Sequence, residues 1–520
     1  MRKKFCLACA LYFATAVYAQ EAVLSFEEAV QTAVAHNYAV RLKQAALLQA
    51  SGKLKSALAG TDVAIGADTQ YSKSHTPYDD DPYYGGMGLT DVESDQISSS
   101  LWAQKTFAFG LQSRLSLGLS HSLSSYKGSS ALEANYKDTN GTEGYNRGTL
   151  SLELSLPIFK SFNASVTANN IAAARHYHAQ LEYELTDAVC QTLLSAASSY
   201  WAYLSAHSTL QQLEAMQKNL QERSTGMERL ISAGVRSRND LLSMQVSLIE
   251  IDRNVVNARV AYEQAQLSLL QTLGIEAAEL PAPSYDFPSF DGNGTALPDF
   301  ESIDAAFIER ICARRPDLQA LERQLEAAQA GLKGAQADAR PDTALSFALG
   351  SSGAIYGDSI GDYLQSFAKN VPGTNMSGGI SFSMSLPNNA RKGNKETAQA
   401  ALVSAQVQLT QARQTLSAEL RSTIFSLRSF REQVLNAENA LSLQKQLYAN
   451  EQKRFEAGLI TIDDMGTQDS RYLDAQTQYY QLMIAYLQAV LQYKYLTGNL
   501  VEVTDSDTHT LHKERLYSLE

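Results

Sequence analysis

TLSLELSL, Thr149–Leu156, sets leucine at every second position against Ser151, Glu153 and Ser155. GISFSMSL, Gly379–Leu386, repeats the pattern with Ile380, Phe382, Met384 and Leu386 against three serines. Period-two alternation marks a strand with one apolar and one small polar face. Each segment has an earlier companion: Val63, Ile65, Ala67, Thr69 and Tyr71 before the first, and Leu345, Phe347 and Leu349 before the second. Strands of this kind fit a membrane barrel, with lipid on one side and water on the other, and equally a half-buried soluble sheet. Stretches rich in Gly, Ser, Asp and Tyr, His75–Gly88 and Ser351–Gly378, separate the strands. Between them, Asp79–Arg147 is longer than two strands need. Its segment Thr106–His121 also alternates, as an extra hairpin or as part of an elaborated loop.

Each strand pair leads through a proline, Pro157 or Pro387, into a helix of unusual length. Phe162–Glu228 and Arg391–Phe455 lack proline and nearly lack glycine, and at 1.5 Å per residue each reaches about 100 Å. Leu420, Leu427, Val434, Leu441 and Tyr448 form one seven-residue series, and Leu416, Thr423, Phe430 and Ala437 a second, offset by four. That is the seam of a left-handed coiled coil. Return helices are expected over Ser237–Leu273 and Ile462–Thr497. A helix also opens each half, over residues 25–59 with Ser25 and Glu28 spaced as a capping box, and from Ser302 towards Arg340 with Pro316 starting or restarting it.

The halves are copies. A shift of 224 residues carries Gly234 of GVRSRNDLL to Gly458 of GLITIDDMG, Asp240 to Asp464, Tyr262 to Tyr486 and Gly274 to Gly498. The unit is helix, strand, strand, helix, helix, and a duplicated unit of this kind needs a neighbour to bury its apolar faces. The expected divisions are a signal peptide over residues 1–19, a first repeat over 20–280, a linker over 281–300, a second repeat over 301–499 and a tail over 500–520. The signal peptide reading rests on Arg2, Lys3 and Lys4 before an apolar run that ends at Val17-Tyr18-Ala19.

The chain has 520 residues, a net charge of −12 and 44% hydrophobic residues, an ordinary folded composition. Its Lys and Arg residues are scattered, which argues against nucleic acid as a partner. Beyond the leader only Cys190 and Cys312 remain, too few for a disulfide framework and expected as core residues. No catalytic constellation, metal cluster or phosphate loop stands out, so the sequence implies neither an enzyme nor a cofactor. Four strands cannot close a barrel, and lipid does not tolerate open edges. Either the strands lie outside a membrane or several chains share one barrel; three chains would supply twelve strands. The competing reading is a secreted structural or adhesive coiled-coil protein without a pore.

Three segments then carry a resemblance: LSFEEAVQTAVAHNY from Leu24, RRPDLQALERQLEAAQAGLKGAQADARP from Arg314, and RFEAGLITIDDMGTQDSRYLDAQTQYYQLMIAYLQAVLQYKYLTG from Arg454. With the duplication, they make the chain resemble the outer membrane efflux protein family, the TolC-like channels. The resemblance implies a homotrimer with four strands per chain in a twelve-stranded barrel, and a coiled-coil helical tunnel across the periplasm. It implies as partners outer-membrane lipid, a periplasmic adaptor (membrane fusion) protein and an inner-membrane pump of RND or ABC type, in efflux or type I secretion. By the same resemblance the two helix turns are periplasmic tips: Ser232, Gly234, Val235, Glu456, Gly458 and Leu459 would contact the adaptor. Asp464 matches the position that rings the narrowest point, and Asp240 one that joins the gate's polar links. Ile460 stands where a gating arginine is often found, Thr467 where a second ring aspartate can lie, and Phe455 where a tyrosine latch occurs. These three departures imply apolar packing in place of a polar latch. Asp464 and Asp240 can also serve as helix-start caps.

Overall fold

The computed structural model describes residues 23–77, 89–128, 144–161, 165–232, 237–276, 279–284, 305–357, 359–366, 373–500, 502–504 and 508–510. The leader, Gly234 and Val235 therefore lie outside the described residues. The chain divides into two compact units. One comprises Met1–Leu48, Gln180–Glu322 and Gln408–Glu520, and the other Gln49–Ala179 and Arg323–Val407.

The second of these units holds one antiparallel sheet of six strands in sequence order: β1 (Val63–Pro77), β2 (Leu89–Thr106), β3 (Gln112–Gly128), β4 (Tyr145–Pro157), β5 (Asp342–Tyr356) and β6 (Gly373–Ser383). The expectation of four strands per chain is corrected to six. The long insertion contains a full hairpin, β2–β3, which lies inside the sheet rather than beside it. Only β3 was legible. In β2 the apolar positions thin to Ile97, Leu101 and Ala103 among serines, aspartates and glutamines, so its period is diluted.

Register sorts the side chains into two faces. Ile65, Ala103, Leu115, Leu152, Leu349 and Met376 form one cross-strand row, apolar through all six strands. The adjacent row on the other face is Gly66, Trp102, Ser116, Ser151, Gly350 and Asn375, small or polar throughout apart from one indole. The apolar face is open to solvent within the chain, with Ile65 79%, Met376 73% and Ile380 73% exposed, far more than a sheet packed on a core would leave. On the polar face, Trp102 Nε1 donates to Asp68 Oδ2 at 2.9 Å. Arg114 lies over the same indole, 4.8 Å from its centre. Gly66 admits this indole, since a Cβ there would fall 2.4 Å from it.

The β2–β3 connection, residues 107–111, closes with Phe107 N–H donating to the Leu111 carbonyl at 2.8 Å, and Gly110 sits at φ 102°. Ser165 hydroxyl reaches the Ala108 carbonyl at 2.6 Å. At the same end, Lys160 lies 2.6 Å from Asp342, and Arg391 also lies 2.6 Å from Asp342. All six strands thus begin or end at one level, and the inserted hairpin runs alongside its neighbours.

The helices fall mostly in the other unit. Helix α1 (Phe26–His36) starts with the expected capping box, Ser25 and Glu28 each bonding the other's backbone N–H at 3.2 Å. The opening helix does not run unbroken to residue 59. Asn37 turns extended, its side-chain oxygen accepts the Ala39 N–H at 2.8 Å, and α2 (Tyr38–Ala59) begins there. The second repeat breaks at the same place, between α5 (Ala305–Cys312) and α6 (Pro316–Asp338), because the residue before proline avoids the helical region and proline suits the first helical position. The long helices are α3 (Val166–Ser232) and α8 (Asn389–Glu456), of 67 and 68 residues. Their return partners α4 (Arg238–Leu273) and α9 (Ile462–Thr497) have 36 each. A short α7 (Ile360–Gln365) lies between β5 and β6, and a small pair, β7 (Glu502–Thr504) with β8 (Thr508–Thr510), follows α9.

The core of this unit draws on both repeats. Ala29, Leu193, Trp201, Tyr203, Leu269, Leu318, Leu420, Leu487 and Leu496 fall in one buried cluster. Of the expected seam of α8, Leu416, Leu420, Leu427 and Val434 are buried, whereas Thr423, Phe430, Ala437, Leu441 and Tyr448 are half-buried. Tyr200 hydroxyl donates to the Leu24 and Ser284 carbonyls, pinning the segments on either side of the first repeat. Cys190 and Cys312 are free and buried, and burial pushes the Cys190 thiol up to about 12. No described helix is long and apolar enough to cross a membrane.

Candidate functional site

The α8–α9 turn is set by local bonding. Leu459 N–H donates to the Arg454 carbonyl and Gly458 N–H to that of Phe455, both at 2.9 Å. This helix-ending motif requires a left-handed residue, and Gly458 supplies φ 73°. The chain re-enters a helix three residues later. Thr461 hydroxyl accepts the Asp464 N–H at 3.2 Å, while Asp464 Oδ2 accepts the Thr461 N–H at 3.1 Å and its hydroxyl at 2.6 Å. These bonds to Thr461 hold the exposed Asp464 carboxyl below the ordinary carboxylate range. Asp464 is therefore a cap and a fixed anion at once.

Above the turn, four helices meet through an apolar plug. Met227 of α3, Met244 of α4 and Ile462 of α9 are buried together, with Ile231 and Phe455 packed on them. Phe455 thus packs on apolar neighbours. A polar tie accompanies it. Arg223 of α3 bonds Asp469 of α9 at 2.8 Å and reaches the Tyr448 hydroxyl of α8 at 3.4 Å. The Asp469 side chain is 6% exposed and that of Arg223 19%. Arg223 also lies 5.8 Å from the Phe455 ring centre, and Tyr448 stacks on Tyr472 at 5.0 Å. Burial and the charge of Asp469 raise the Tyr448 hydroxyl above its usual range. Arg223, Tyr448 and Asp469 line a cavity of 260 Å³ with Met216 and Leu473.

This tie was not among the expected gate residues, although the sequence held a signal for it. Ile462, Met465 and Asp469 share the buried stripe of α9, as Leu220, Arg223 and Met227 share that of α3. A charge at a stripe position needs a partner. The partner lies 246 residues away, in the other repeat, so spacing alone does not name it.

The remaining expected residues fall around the turns. Ile460 is half-buried just before the cap, Thr467 is exposed in the second turn of α9, and Leu459 is 70% exposed. Glu456 ends α8 and Ser232 ends α3, both exposed, with the Ser232 hydroxyl donating to the Arg229 carbonyl at 2.7 Å. Asp240 lies in the first turn of α4, with its side chain outside the described set. One chain thus brings Phe455, Gly458, Ile460 and Asp464 into one turn.

A duplicated helical unit joined to an amphipathic sheet defines the class: an outer-membrane channel of the efflux type. The chain matches the outer membrane efflux protein family over residues 111–275 and 307–499, and it belongs to that family. Its fold is similar to that of the Campylobacter jejuni CmeC outer membrane channel, with TM-score 0.64 and 14% identity over 91% of this chain and 85% of that one. It is likewise similar to the outer-membrane channel OprN (TM-score 0.62, 16% identity, 91% and 90%). The outer membrane protein VceC of Vibrio cholerae is another (TM-score 0.60, 15% identity, 91% and 96%). Sequence comparison with curated proteins finds no match.

Proposed function

We propose that the chain works as a homotrimeric outer-membrane exit duct that passively conducts substrates outward in a tripartite efflux or type I secretion system. The observation that carries this reading is the sheet, whose solvent-open apolar face suits lipid and whose opposite face suits a water-filled lumen. A periplasmic adaptor would dock at the turns that end α3 and α8, near Ser232, Glu456, Gly458 and Leu459, with Gly234 and Val235 at the first turn. An inner-membrane pump of RND or ABC type would act through that adaptor.

Asp464 and Ile460, with Asp240, Phe455 and Thr467, form the proposed constriction. Three Asp464 carboxylates facing one axis would repel each other and attract cations. The Arg223–Asp469–Tyr448 tie is assigned the task of holding the two helical hairpins of one chain together while the pore is shut. Detergent extraction of the outer-membrane fraction, followed by mass measurement of the protein component, tests the assembly. A trimer is expected. A stable monomer, or recovery with the soluble periplasmic fraction, overturns the reading.

A further inference from the structure

We infer that this chain closes with two further copies into an eighteen-stranded barrel rather than a twelve-stranded one, through a seam between β6 of one copy and β1 of the next. The inference rests on the trimer proposed above and adds the strand count, the seam and the width.

Three observations carry it. First, β2 and β3 are interior to the sheet, β2 bonded to β1 over Asp91–Lys105 and β3 to β4 over Gln112–Ser122. If β1 and β4 stand in lipid, the hairpin between them stands there too. Second, the apolar row is unbroken across all six strands, so β2 and β3 meet the same solvent as their neighbours. Third, among the described residues the sheet ends in two edges with no paired strand, β1 of 15 residues and β6 of 11, whose outward positions include Ile65, Ile380 and Phe382. Unpaired backbone groups in hydrocarbon cost several kcal/mol each, so the edges must be covered. A second copy fits them. With an even number of strands per chain, β6 meets the next β1 antiparallel, and face matching requires even-numbered residues of β6 opposite odd-numbered residues of β1.

Barrel diameter grows roughly in proportion to strand number. With strands ~4.8 Å apart and tilted by ~40°, eighteen give a backbone diameter of about 36 Å against about 24 Å for twelve. The duct would then open to the exterior through a mouth about 1.5-fold wider.

Electron cryomicroscopy of the detergent-extracted full chain counts the strands directly. Eighteen strands in a three-fold particle are expected. Twelve, with residues 89–128 folded outside the barrel, overturn the inference while leaving the trimer intact. A particle that is not three-fold overturns the trimer reading itself. The seam has its own test. Ser381→Cys combined in turn with Ala64→Cys, Asp68→Cys or Gln70→Cys should give a covalent trimer on a non-reducing gel for at least one pair. The opposite-face control, Ser381→Cys with Ile65→Cys, should give none. If no pair crosslinks although the trimer is present, the β6–β1 seam is wrong. Removing residues 89–143 takes out two strands and preserves alternation, so polymer-exclusion recordings from the outer face should report a mouth about two-thirds as wide. An unchanged exclusion size in a folded variant contradicts the inference.

Discussion

Asp469→Ala tests whether the tie between the two repeats holds the pore shut. The substitution removes a carboxylate that is 6% exposed and strands the Arg223 guanidinium, 19% exposed, beside Tyr448 and the Phe455 ring. Breaking a fully buried pair costs ~3–5 kcal/mol, most of it from the charge left behind. Arg223 retains some water, so we take about 2 kcal/mol per chain, which is roughly a 30-fold shift in the balance between tied and untied hairpins. Single-channel recording in planar bilayers should then show a higher conductance or far more frequent openings. Arg223→Ala should do the same. Because both act on one bond, the double variant should resemble either single change rather than their sum. Closed-state conductance and opening frequency that match the parent in an intact trimer would refute the assignment. So would strictly additive effects, which would mean that the two residues stabilise the helices separately.

Asp464→Ala should weaken block by divalent or trivalent cations added from the periplasmic side, with the effect fading as salt rises; unchanged block moves the constriction elsewhere. The carboxyl of Asp464 is depressed in the folded chain, so its capping contribution is present above the unfolded carboxylate pKa of about 3.9 and lost as pH falls through the lower folded value. Amide exchange at the start of α9, compared with Asp464→Ala across that window, measures it. Gly458→Ala forces a side chain into φ 73° at a cost of about 1–2 kcal/mol, expected as faster exchange confined to the ends of α8 and α9. Cys190 should resist thiol reagents in the native protein and react on unfolding, because burial keeps its thiol protonated. Crosslinkers placed at Ser232 and Glu456 should capture a periplasmic adaptor in cells, and capture only at outer-loop positions near Tyr83 would invert the orientation.

The parts of this fold that were legible in sequence are those governed by local periodicity. The ends of both return helices, the cap at Ser25 and the strand from Thr149 follow from spacing and turn chemistry that act within a few residues, whereas the alternation from Gly379 to Leu386 overlaps only the end of β6, which closes at Ser383 and leaves Met384 and Leu386 outside it. What was missed depends on distant partners. Strand β2 keeps its place because β1 and β3 flank it, although serine and acidic residues dilute its own alternation. The break at Asn37 needs the Thr272 carbonyl, which accepts from its side chain at 2.8 Å across the first repeat. The Arg223–Asp469 bond joins residues that share no local pattern. Asp464 presents the converse case: its spacing from Thr461 exposes the cap, while the proposed ring would depend on other chains.

The helical core also sets an order of events in synthesis. Ala29, Val30 and Ala33 share their buried cluster with Leu487, Leu491 and Leu496, so the earliest helix cannot finish packing until nearly the whole chain has emerged. Closing contacts across such a separation is slow. During that interval the long helices and the leucine-rich strands present unburied apolar stripes to one another and to neighbouring chains. Aggregation competes with completion in such a window. A truncation that removes α9 should therefore act on the first repeat as severely as on the second, and yield should depend on whatever shields the chain until its last fifty residues arrive.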